Sequence, residues 1–77
     1  MNDAIADVII HVNENLNERA LQTLEDAIRE DWGVVAIGHN PKCPHLMMMA
    51  YDSEVVRSSS VMHQFQKRGL HAQLVGL

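Results

Sequence analysis

The residues richest in chemistry lie together in His39-Asn40-Pro41-Lys42-Cys43-Pro44-His45-Leu46-Met47-Met48-Met49. This stretch holds the only cysteine, two of five histidines, both prolines and three of five methionines. Thiolate, imidazole and thioether are soft to borderline ligands, suited to Cu(I) and Zn²⁺. Cys43 and His45 stand two apart across Pro44, so in an extended chain their side chains emerge on similar sides. His39 lies across the turn announced by Asn40-Pro41. These three are the candidate metal ligands, completed by a fourth group or water for zinc, or binding Cu(I) with or without a methionine sulfur. Their spacing matches no dedicated zinc signature, and a hairpin stiffened by prolines with incidental histidines is the competing reading.

The methionine run does not converge on one point. Successive strand residues face opposite ways, so Met47 and Met49 share one side and Met48 takes the other. Core packing by adaptable side chains is the expectation for the first two. Catalysis is not supported: Cys43 with His45 lacks an orienting third group and an oxyanion site, and no glycine-rich phosphate loop occurs. The sequence therefore reads as non-enzymatic.

The elements around this stretch must be few. With 77 residues the chain forms one domain over 1–77 and buries roughly 60% of its unfolded surface. A net charge of -4 with six scattered Lys and Arg offers no basic stripe for nucleic acid. One cysteine closes no intramolecular disulfide, and Met1 to Asp7 lacks the basic start and apolar run of a signal peptide. No segment approaches the roughly 18 apolar residues of a membrane span. A cytoplasmic setting, with no membrane partner, is the expectation.

After a fraying Met1 to Ala6, Val8, Ile10 and Val12 alternate with Ile9, His11 and Asn13 as a strand. Asn15 or Asn17 caps a helix. Its apolar stripe is Ala20, Leu21, Leu24, Ala27 and Ile28, and its polar side carries Glu18, Glu25 and Arg29, the last two a favourable i,i+4 pair. Gly33 ends it, with Trp32 packed beneath the turn. Val34 to Ile37 form strand two, broken at Pro41 and again at Pro44, and Leu46 to Tyr51 form strand three. Ser58 or Ser59 caps a second helix burying Val61, Met62 and Phe65, with Val55 and Val56 tucked under its start. Gly69 closes it, and His71 to Val75 form strand four. The order βαββαβ, with right-handed crossovers, predicts an α+β ferredoxin-like sandwich: a four-stranded antiparallel sheet of order 4-1-3-2 with two helices on one face.

Val8 to Val12, Gly33-Val34, Tyr51-Asp52 and Gly69-Leu70-His71-Ala72 fall in an order and spacing that resembles the heavy-metal-associated domains of copper chaperones and metal-transport ATPases. The resemblance covers nearly the whole chain and implies the same fold and a metal-handling role. The family's C-x-x-C motif between strand one and helix one has no counterpart, since Asn13-Glu14-Asn15-Leu16-Asn17 stands in its place. Its thiolate site is carried to no residue here.

The sheet face away from the helices is expected to show Ile9, His11, Ala36, Gly38, Leu46, Met48, Ala50, Gln73 and Val75. So apolar a face predicts a homodimer or a protein partner, centred on Ile9, Leu46, Met48 and Val75. His11 and Met48 form a second, poorer metal candidate there. Two functions stay open: handling of copper or zinc, and a protein-interaction or small-ligand regulatory module that keeps the fold without metal.

Overall fold

The structure, a computed structural model, describes residues 4–76. The elements run β1 (Ile5–Val12), α1 (Glu18–Arg29), β2 (Val34–Asn40), β3 (Cys43–Asp52), α2 (Ser58–Gln66) and β4 (Ala72–Gly76). The strands pair antiparallel in the order β2-β3-β1-β4, which is the expected sheet read from its other edge. The expected fraying does not extend to Ile5 and Ala6, which pair with Asp52 and Tyr51; residues 1–3 lie outside the described residues.

Alternation decides which face is buried. Val8, Ile10 and Val12 of β1, Met47, Met49 and Tyr51 of β3, and Ile37 of β2 form one cluster with Leu21, Leu24 and Ile28 of α1 and Val61 and Phe65 of α2. A one-residue slip would turn the whole apolar set of β1 to solvent, so the burial pattern specifies the register. Met47 and Met49 are core, as their parity requires, and Met48 is 60% exposed on the opposite face.

Asn17, rather than Asn15, caps α1: its side chain accepts the Ala20 N–H at 2.8 Å. At α2 the N-cap is Arg57, with no side-chain cap bond, so neither Ser58 nor Ser59 plays the capping part. The second helix is held instead by the burial of Val61 and Phe65.

Pro44 does not break the chain. The β2–β3 turn is Pro41-Lys42, and β3 already begins at Cys43, which pairs with Asn40. The β1–β3 register ends at His11 and Leu46, so the proline costs no ladder bond on that side, as at a sheet edge.

Trp32 is 86% exposed rather than packed beneath the turn. Gly33 adopts φ +100° there, and Val55 and Val56 fill the space below it, where a Cβ would lie 2.9 Å from Val55 Cγ1. The Asp52 N–H donates to Gly33 O at 2.7 Å and locks the turn onto the end of β3. With the valines in that space, the indole is left outside. Val56 packs on the core, while Val55 stays 46% exposed.

Candidate functional site

His39 is the best-anchored polar side chain of the hairpin. It lies opposite the buried Met47 and reaches across to α1. Nδ1 lies 2.6 Å from Glu25 Oε2, and Nε2 lies 2.6 Å from Glu18 Oε1. The two glutamates are seven residues apart, two helical turns, so one face of α1 presents both carboxylates. Carboxylate oxygens accept, so each ring nitrogen donates and the ring is an imidazolium. Its side chain is only 6% exposed. The bond to Glu25 holds its pKa above the ordinary imidazole value; burial opposes this, and the bond to Glu18 adds to it.

Glu25 therefore leaves the polar side expected of it and is buried at 7% exposure. In place of the expected Glu25–Arg29 pair, Arg29 bonds Asp26 within the helix at 2.8 Å and donates to Ile37 O at 3.2 Å, which ties α1 to β2.

His45 points elsewhere. Its Nδ1–H donates to Val12 O at 2.7 Å, and its ring stacks on His11 with centroids 5.8 Å apart and planes inclined by 17°. Cys43 is an exposed free thiol at the start of β3. The three side chains read as one ligand set are thus not brought together: His39 spends both nitrogens on glutamates and His45 turns to β1. Among the described residues no group of three or more His, Cys, Asp or Glu is placed to hold a metal ion. His11 and Met48, the second candidate, are diagonal neighbours on the open face, since His11 pairs with Leu46 and Ile9 with Met48. The His11 ring engages Asn13 and His45.

The β1–α1 loop is closed by its own bonds. Glu14 accepts from the His71 backbone N–H at 2.8 Å and from His71 Nδ1 at 2.6 Å, and Asn13 N–H donates to His71 O at 2.8 Å. The His71 side-chain bond, with the His71 backbone bond second, holds the Glu14 carboxyl below the usual range. This loop offers no sulfur and its one carboxylate is engaged, so its residues do not fit a thiolate-bound ion.

The open face carries a shallow depression floored by the small residues Ala36, Gly38 and Ala50 and walled by Asp7, Ile9 and Met48. Leu46 at 38% and Val75 at 53% exposure extend its apolar character. No helix among the described residues is long and apolar enough to cross a membrane.

The carboxylate clamp on His39 and the Glu14–His71 bond escaped the sequence reading. The spacing of Glu18 and Glu25 was a usable signal for the first; the second joins residues 57 apart and has no local signature.

No protein-family model and no curated relative matches the sequence. Solved structures match over nearly the whole chain. Oxidized MerP from Ralstonia metallidurans CH34 superposes with a TM-score of 0.81 at 14% identity, covering 92% of this chain and 97% of its own. A putative copper-ion-binding protein from Bacillus anthracis str. Ames gives 0.81 at 17%, covering 94% and 100%. A copper-binding domain of the P-type ATPase HMA7 gives 0.80 at 13%, covering 91% and 93%. The chain thus has the ferredoxin-like fold of these domains, as the resemblance implied.

Proposed function

We propose that this chain is a non-enzymatic domain that handles a soft or borderline metal ion, copper(I) or zinc, with side chains at the β3 end of the hairpin in place of the β1–α1 loop. The observation that carries the reading is the near-complete superposition on domains described as copper-binding. In this chain the exposed Cys43 thiol supplies a thiolate, and His45 supplies an imidazole nitrogen once its ring turns from β1 toward Cys43. His39 joins them only by exchanging its glutamate partners for the ion.

A second reading rests on the open face. Its apolar residues Ile9, Leu46, Met48 and Val75 suit a second copy or a protein partner, and the tied-down β1–α1 loop suits a domain that keeps the fold for interaction alone.

Native mass spectrometry of reduced protein, titrated with Cu(I) and with Zn²⁺, tests both through metal count and subunit count. The metal reading expects a stoichiometric ion that Cys43→Ser or His45→Ala removes. A persistent dimer without metal, dissociated by Met48→Glu, favours the interaction reading instead.

A further inference from the structure

The stacked pair His11 and His45 has a feature that the His39–Cys43–His45 grouping does not use. Val12 O can only accept, so His45 carries its proton on Nδ1; Asn13 Oδ1, at 3.1 Å, likewise accepts from His11 Nδ1. With the proton on Nδ1, the lone pair of an uncharged imidazole sits on Nε2, and among the described residues neither Nε2 has a hydrogen-bond partner. Two imidazoles on neighbouring strands thus share one tautomer, and each is oriented by an oxygen on its other nitrogen. That arrangement is the support a ligating histidine ordinarily has.

The spacing is close to what one ion needs. With metal–nitrogen bonds near 2.1 Å, two imidazoles on one tetrahedral ion have ring centres about 5 Å apart. The half-buried rings stand 5.8 Å apart but stacked, with planes only 17° from parallel, so one of them must turn about its side-chain bonds before both Nε2 atoms face the same ion. His39 differs because carboxylates occupy both its nitrogens, and His71 because its Nδ1 is engaged by Glu14 on a ring that is 80% exposed.

We propose that His11 and His45 form a two-imidazole site for a borderline divalent cation of the Zn²⁺ class, with solvent completing the coordination. Nitrogen ligands without thiolate suit Zn²⁺, Ni²⁺ or Cu²⁺ rather than Cu(I). The site shares His45 with the reading above and dispenses with Cys43.

Long-range ¹H–¹⁵N spectra of the imidazoles during a Zn²⁺ titration test it, on wild type, Cys43→Ser and His11→Gln. The expected result is the Nδ1–H tautomer for both rings before metal and joint movement of both Nε2 resonances on adding zinc, unchanged in Cys43→Ser. His11→Gln should weaken zinc binding at His45 about tenfold or more. A zinc response abolished by Cys43→Ser and untouched by His11→Gln overturns this site and leaves the thiolate reading standing. Rings that do not move at millimolar zinc overturn it as well, whatever the protein does with Cu(I).

Discussion

Glu25 Oε2 and His39 Nδ1 stand 2.6 Å apart between α1 and β2, and Glu18 takes the other ring nitrogen at the same distance. A buried carboxylate and a buried imidazole are each costly alone, and each is the other's compensation. Their bond ties the helix to an edge strand at the point where the hairpin leaves the sheet.

The pair makes stability depend on pH. The folded-state pKa of His39 is raised above its ordinary value of 6.5. Its contribution is therefore complete below about 6.5 and is lost as pH rises through the folded value, because deprotonation removes one donated hydrogen bond. Urea midpoints from roughly pH 6 to pH 9 should fall in wild type relative to His39→Gln. Parallel curves for the two proteins would contradict the imidazolium assignment.

The two glutamates should not be equivalent. Glu25 is 9% exposed at its side chain and Glu18 is 53% exposed. Glu25→Ala should cost about 1.5–3 kcal/mol, the range for a hydrogen bond to a charged group. Glu18→Ala should cost less than about 1 kcal/mol, as for exposed ion pairs. Equilibrium unfolding at pH 6 measures both, and an inverted order would mean that Glu18 carries the clamp.

What was legible in the sequence follows from how far apart the interacting residues lie. Val8, Ile10 and Val12 announce β1 because a strand with one buried face must alternate, and Gly33 and Gly69 mark turns because their positive φ is costly to other residues. The partner of His39 was hidden, since Glu25 is 14 positions away and local spacing offered it Arg29 instead. Pro44 was read as a break by a local rule, although β1 has no pairing residue beside it. Trp32 is apolar enough to be expected beneath the turn, but Val55 and Val56 occupy the space under Gly33. The histidines were legible as ligand types, while their actual groupings, His11 with His45 and His71 with Glu14, depend on strand order.

Trp32 and Phe65 give the clearest contrast between size and burial. Phe65 is fully buried at 0% exposure and Trp32 is 86% exposed. Phe65→Ala should cost about 3–5 kcal/mol, combining lost transfer energy with a cavity. Trp32→Ala should stay within about 0.5 kcal/mol. Chemical denaturation of the two variants reads this directly, and a large loss for Trp32→Ala would place the indole inside the fold.

Gly33 and Gly69 both adopt positive φ, +100° and +78°, but in different surroundings. A Cβ at Gly33 meets Val55 Cγ1 at 2.9 Å, whereas a Cβ at Gly69 meets nothing within 4 Å. Gly69→Ala should therefore cost about 1 kcal/mol of backbone conformation alone. Gly33→Ala should cost about 2 kcal/mol or more, because the valine must also move. Making the change in a Val55→Ala background removes the nearest contact, although Val56 Cγ1 still stands at 3.1 Å. A double-mutant cycle should thus recover part of the steric cost and none of the conformational one. If the two glycine substitutions cost the same and show no coupling to Val55, the packing of that residue beneath Gly33 is not what holds the turn.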